Sequence, residues 1–232
     1  MSIDSPVFWL ALGQIVWINI ILSGDNAVVI ALAARSLPPK QQKMAIMWGS
    51  GAAVVLRIVL TFIAAILLKL PYLQLIGGAL LLWIGFQLMG EEGGEGEGHS
   101  KEHGSLAAAV RTILIADLVM SLDNVIAVAL AAKGDFTLLV LGLAISIPLV
   151  IFGSTLMIKL MERFPVIVTL GAALIGWVAG DAITHDVAEI AGVSLKAYFE
   201  ANPMLGYVVK AGCAVLVVVV GRWLASRGKK AH

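Results

Sequence analysis

Charge is scarce in this chain: Asp, Glu, Lys and Arg make up 13% of 232 residues, against about 25% in a soluble domain. With 60% hydrophobic residues and a mean hydropathy of +0.97, so few charges cannot solvate a water-exposed surface. The composition is that of a protein that crosses a membrane several times. Cysteine is nearly absent; Cys213 stands alone in an apolar run, which excludes an internal disulfide and leaves packing as its expected role. No Walker A phosphate loop, GxSxG elbow or HExxH helix occurs, so an ATP-driven pump, a serine hydrolase and a zinc peptidase have no support. The opening Met-Ser-Ile-Asp-Ser-Pro lacks the basic start of a cleaved signal, so the first span is expected to be retained.

What the chain does have is long apolar runs. A membrane helix needs about 20 such residues, and runs of that kind are expected near 7–34, 44–68, 72–90, 106–132, 137–160, 166–184 and 204–225. Breakers separate them: Pro38-Pro39, Pro71, the Gly/Glu stretch 90–98, Gly134-Asp135, Pro165 and Asn202-Pro203. Seven spans put the termini on opposite sides. Eleven Lys and Arg fall on the C-terminal side and three on the other, so the N-terminus is expected outside and the C-terminus in the cytoplasm. Trp9, Trp48, Tyr72, Tyr207 and Trp223 stand near span ends, where amphipathic rings favour the interface.

One passage occurs twice. Ser23-Gly24-Asp25-Asn26 opens a stretch of thirteen residues that returns 98 residues later as Ser121-Leu122-Asp123-Asn124, with seven identities. Gly77-Gly78-Ala79-Leu80-Leu81-Leu82-Trp83 likewise resembles Gly171-Ala172-Ala173-Leu174-Ile175-Gly176-Trp177. Each unit holds three spans, an odd number, so the second unit enters the membrane from the opposite side. The expected architecture is therefore an all-α membrane protein of seven helices: an inverted 3+3 repeat plus a C-terminal helix. Its expected divisions are 1–90 for the first repeat, 91–105 for an acidic cytoplasmic linker and 106–186 for the second repeat. An external loop over 187–203 and a seventh helix with a basic tail over 204–232 complete it.

A carboxylate in hydrocarbon costs about 2.5–3.5 kcal/mol on insertion scales, so intramembrane acids usually serve a function. Asp25 and Asp123 each lie about ten residues, or about 15 Å of helix, from the basic end of their span. With Asn26 and Asn124 they offer carboxylate and amide oxygens, a donor set for a hard or borderline divalent cation. Two anionic ligands neutralise such an ion. Gly24 permits a local unwinding that adds backbone carbonyls; Leu122 takes its place in the second copy. Asp117 shares a helical face with Met120 and Asn124 and is a candidate third carboxylate or proton carrier. Its counterpart in the first copy is Asn19. Asp181 and His185, spaced i, i+4, are candidates for an outer metal station or a proton exit, with Asp186 beside them. Arg57 falls inside a span and needs an acidic partner, while Lys210 lies close enough to a span end to snorkel. The Glu/Gly/His segment 91–104 reads as a solvated linker.

These residues resemble the TerC family of integral membrane proteins, and the compact length is similar to its YjbE-like branch. The resemblance rests on Ser-Gly-Asp-Asn-Ala, Ile-Ala-Leu-Ala-Ala and Leu37-Pro38 in the first span, and on Ser-Leu-Asp-Asn-Val and Ala-Val-Ala in the fourth. It implies a metal-ion transport protein of the bacterial cytoplasmic membrane, linked to manganese export and to tellurium resistance. The implied metal residues are Asp25, Asn26, Asp123 and Asn124, with Asp117 and Asp181 as weaker candidates.

The resulting expectation is a non-enzymatic secondary transporter that exports divalent metal ions, Mn2+ foremost. No cofactor would be permanently bound. Its partners would be the bilayer, the metal ion, protons as counter-ion and a second copy of the chain, with no nucleic acid. An exporter of small organic solutes similar to LysE, and a scaffold that loads metal into secreted enzymes, stand as alternatives. An intramembrane aspartyl protease fits less well, because Asn follows both Asp residues and Leu22 occupies the first Gly position of a GxGD motif.

Overall fold

The computed structural model describes residues 5–67, 69–90, 105–132, 135–190 and 192–230. The chain is all-α apart from one small hairpin. In order, it forms α1 (Pro6–Leu22), α2 (Gly24–Ala34), α3 (Pro39–Leu67), α4 (Leu73–Gly90), α5 (Leu106–Ala132), α6 (Phe136–Arg163) and α7 (Val166–His185). The hairpin of β1 (Glu189–Ile190) and β2 (Val193–Ser194) follows, then α8 (Leu195–Ala201) and α9 (Pro203–Lys230). The apolar runs therefore become helices with nearly the expected ends. The expected linker over 91–105 lies outside the described residues except for Ser105. The expected external loop carries the hairpin and α8.

Five helices among the described residues are long and apolar enough to cross a membrane: α3, α4, α6, α7 and α9. The pair α1 and α2, bent by 49°, passes the same test only when taken together, as one broken span or a re-entrant loop. Trp9, Trp17, Phe62, Phe152, Leu170 and Val219 point outward, a surface suited to lipid rather than water. The five aromatics expected near span ends are all exposed.

Local chemistry explains the helix boundaries. Ser5 caps α1 by accepting the Phe8 N–H at 3.2 Å, with Pro6 at the first helical position. Asp135 caps α6 in the same way, accepting from Thr137 and Leu138. α6 then runs unbroken through Pro148. Tyr72, which precedes α4, has no side chain able to cap that helix, and its φ of 66° is left-handed. The cap comes instead from Asp186, 114 residues away. Its carboxylate accepts the N–H groups of Tyr72 at 2.9 Å, Leu75 at 2.7 Å and Ala188 at 2.6 Å. Asp186 is 1% exposed, so it serves as a tether between the start of α4 and the end of α7, and no longer as part of an outer polar site. Asp186→Ala orphans those donors and is expected to cost about 3 kcal/mol, read as a lower denaturation midpoint in detergent.

Two groups of helices make up the interior. α4, α7 and α9 pack together through glycines. A Cβ on Gly78 would stand 2.7 Å from the Ala179 carbonyl oxygen, and one on Gly180 would stand 2.7 Å from the Lys210 Cα. Gly85 meets Val217 in the same fashion. Small residues let membrane helices approach closely where no hydrophobic drive exists between them. The second group pairs α3 with α5 and α1 with α6, through Gly49 against Ile113 and Gly142 against Ile15. Apart from the contacts of α9, the strongest helix pairs join residues 1–90 to residues 106–186, rather than neighbours within either stretch. Val119 of α5 against Gly77, and Val28 and Leu32 of α2 against Gly171, connect the two groups.

Candidate functional site

The site begins where the first span breaks. Ser23 has φ −108° and ψ 0°, a sparsely populated bridge conformation, and it ends α1 just before Asp25. The break falls beside Gly24, as expected, yet a Cβ on Gly24 would meet nothing within 4 Å. Gly24→Ala is therefore expected to change stability by less than about 1 kcal/mol, a small effect measurable by thermal denaturation. In the second copy α5 runs straight through Leu122 and Asp123. The two motifs thus differ in backbone, in line with the Gly-to-Leu exchange.

At the start of α2, the half-buried Asp25 accepts the Asn26 N–H at 2.8 Å. Asn26 itself is 3% exposed. A helix N-terminus stabilises an anion in its first turn, while the last turn of α1 leaves carbonyls without intrahelical donors. The break therefore sets the Asp25 carboxylate in the first turn of one helix directly after the end of another. α2 packs on α5, the helix that carries Asp117, Asp123 and Asn124. Asn124 donates through Nδ2 to the Met120 carbonyl at 3.0 Å, which leaves its amide oxygen as the acceptor. Met120 is buried in the apolar core, so its thioether acts in packing. The Asp123 side chain lies outside the described residues.

Arg57 finds its partner on α5. Its Nε donates to one Asp117 oxygen at 3.1 Å and its Nη2 to the other at 2.5 Å. Ser121 also donates to Asp117, at 3.1 Å. Arg57 and Asp117 are 8% and 5% exposed, and this fork geometry is the strong form of a charged hydrogen bond. Asp25 lies within electrostatic reach of both. Asp117, expected as a metal residue, is instead engaged through both oxygens with a guanidinium. Asp181 departs from expectation in a similar way: Lys210 reaches it and forms an ion pair rather than snorkelling outward. His185 Nδ1 lies 3.6 Å from the same carboxylate and 2.9 Å from the Asp181 carbonyl. An ammonium beside Asp181 opposes a metal station there.

Three buried polar groups nearby were given no role by the sequence. Asn19 Nδ2, Ser23 Oγ and Ser50 Oγ have no hydrogen-bond partner among the described residues. Asn19 and Ser23 are i, i+4, while Ser50 precedes Arg57 by two turns, spacings that place each pair on one face. That periodicity within otherwise apolar helices was the signal available. Among the described residues no three His, Cys, Asp or Glu side chains converge. Asp25 with Asn26 on α2, and Asn124 on the α5 helix that packs against it, are the candidate cation ligands among the described side chains.

Comparison with known proteins agrees with the motifs. The model of the family described as "Integral membrane protein TerC family" matches residues 4–229. The chain is 47% identical over 179 residues to the Bacillus subtilis "Uncharacterized membrane protein YjbE", covering 77% of this chain and 81% of that one. It is 27% identical to B. subtilis "Uncharacterized membrane protein YkoY", covering 90% of this chain and 70% of the relative. Identity is also 27% to the Escherichia coli "UPF0053 inner membrane protein YgdQ", over 70% of this chain and 75% of the relative. No solved structure matches.

Proposed function

Starting from the fact that the chain belongs to the TerC family of integral membrane proteins, we propose that it is a secondary transporter exporting divalent metal ions. Mn2+ is the foremost substrate, and the membrane crossed is the bacterial cytoplasmic membrane. The observation that carries this reading is the intramembrane helix break at Ser23. It places Asp25 and Asn26 at the start of α2, a helix that packs on α5, the helix of the second Asp-Asn pair. Discontinuous membrane helices of this kind supply carbonyls and charged ends to ions in many transporters.

In this reading the broken pair counts as one span and α5, about 40 Å long at the helical rise, as another. The total is seven, with the N-terminus outside and an inverted 3+3 repeat. Asp25 and Asp123 supply two negative charges, and Asn26 and Asn124 supply neutral oxygens. Protons replace the metal on the carboxylates during the return step. Access alternates by movement of the α4, α7 and α9 group against the remaining helices, because packing is continuous within each group and sparser between them. The chain acts as a carrier and catalyses no covalent step.

The experiment is reconstitution in liposomes that hold a divalent-sensitive dye, comparing the parent with Asp25→Asn. The variant keeps the shape and removes the charge. Saturable Mn2+ flux in the parent, reduced at least about 100-fold in the variant, is expected, because a mobile divalent charge loses half of its neutralising ligands. Equal flux in both proteins would overturn the assignment of the site. No flux in the folded parent under imposed pH gradients would overturn transport.

A further inference from the structure

Charges inside a membrane span must be compensated. Beyond the basic end segments that hold Lys40, Lys43 and Arg111, the sequences of α2, α3 and α5 carry three acids, Asp25, Asp117 and Asp123, and one cation, Arg57. Arg57 is committed to Asp117 through two hydrogen bonds, and Ser121 reinforces the same carboxylate. Both partners are more than nine-tenths buried, so water does little to screen either charge. The pair sits on α3 and α5, which pack along their lengths, and Asp25 on α2 lies within electrostatic reach. At the outer end Asp181 is matched separately by Lys210 and contributes nothing to this balance. The first copy of the motif needs no second arginine, because Asn19 stands where Asp117 would be.

We infer that Arg57 is a specificity-determining residue: by holding Asp117 it leaves the cation site a net charge of minus two, matched to one divalent ion. This rests on the proposed function and adds a residue that need not touch the metal. If Asp117 were free, the site would hold three negative charges and would favour a trivalent ion, or a divalent ion together with a second cation. If Asp117 were absent and Arg57 remained, one negative charge would be left, too few for a divalent ion. In this account Asp117 is a counter-charge for Arg57 and not a ligand.

The test is binding of Mn2+ and of La3+, each alone, to the purified full chain in detergent by titration calorimetry. Four proteins are compared: the parent, Arg57→Gln, Asp117→Asn and the double variant. Arg57→Gln is expected to shift preference toward La3+ by at least about tenfold, and Asp117→Asn to weaken Mn2+ binding by about tenfold or more. The double variant restores the net charge and is expected to return both affinities to within about threefold of the parent. If either single variant fails to fold, the double variant, which leaves no unpaired charge, decides alone. Parent-like Mn2+ affinity and La3+ preference in it support the inference. Loss of Mn2+ binding in it makes Asp117 a ligand and overturns the inference while leaving transport standing. An unchanged La3+ preference in a folded Arg57→Gln overturns the inference as well. A folded parent that binds no Mn2+ overturns the transport reading, and this inference with it.

Discussion

Asp117→Ala is expected to destabilise the protein by about 3–5 kcal/mol, the cost of leaving one member of a buried ion pair uncompensated. Three hydrogen bonds converge on the Asp117 carboxylate: two from Arg57 and one from Ser121. Removing it strands a guanidinium that is 8% exposed among apolar side chains of α3 and α5. The reverse change, Arg57→Ala, strands the carboxylate and is expected to cost a similar amount. Replacing both by apolar residues of like volume, Arg57→Met with Asp117→Leu, is expected to recover most of the loss, since a buried pair contributes little beyond its own desolvation. Reversible unfolding in mixed micelles measures all three. Strict additivity of the two single effects in the double variant would contradict the pairing, because contacting residues do not behave independently.

The second large effect is expected at the contact of α7 with α9. Gly176→Ala adds one methyl group, and its carbon would stand 2.6 Å from the Cys213 carbonyl oxygen and 2.7 Å from the Ala214 Cα. Both neighbours are backbone, so no rotamer change relieves the contact and α9 must move outward. Overpacking of this kind costs about 1–3 kcal/mol, and more where the backbone itself must shift. About 3 kcal/mol is expected here. Gly212→Ala on α9 is the control, since its added carbon meets nothing within 4 Å and its cost stays below about 1 kcal/mol. Equal destabilisation by the two variants would contradict the packing.

Much of this arrangement could be read in the sequence, and the remainder was hidden for definite reasons. Span positions were legible because a lipid-facing helix must be apolar along its whole length, and prolines and glycines punctuated the runs. The broken first span was foreshadowed by Gly24, and the continuous α5 by Leu122. That Arg57 required a carboxylate partner followed from its burial within a span. Which carboxylate did not, because the pairing depends on how α3 lies against α5, 60 residues on. Asp186 as the cap of α4 was illegible for the same reason. A side chain that caps its own helix lies within a few residues of it, whereas this one comes from the end of another helix. The likeness of residues 77–83 to residues 171–177 revealed repetition. It did not reveal that helices pack preferentially across the two stretches, an outcome set by glycine-lined faces meeting in three dimensions.

For Asp117 and Asp181 the sequence indicated acids inside or near the membrane, and a metal was the natural counter-charge to expect. The fold supplied Arg57 and Lys210 instead. That reassignment concentrates the proposed metal site on the two Asp-Asn motifs, which differ in local backbone and so offer a cation unequal partners from α2 and α5.

The most direct test is an anomalous difference map recorded at the manganese edge from crystals of the full chain grown with Mn2+. A peak between the start of α2 and the middle of α5, within bonding distance of Asp25 and Asp123 and clear of Asp117, is the predicted result. A peak at Asp181 and His185 alone, or one bonded to Asp117 with Arg57 displaced, would contradict the account.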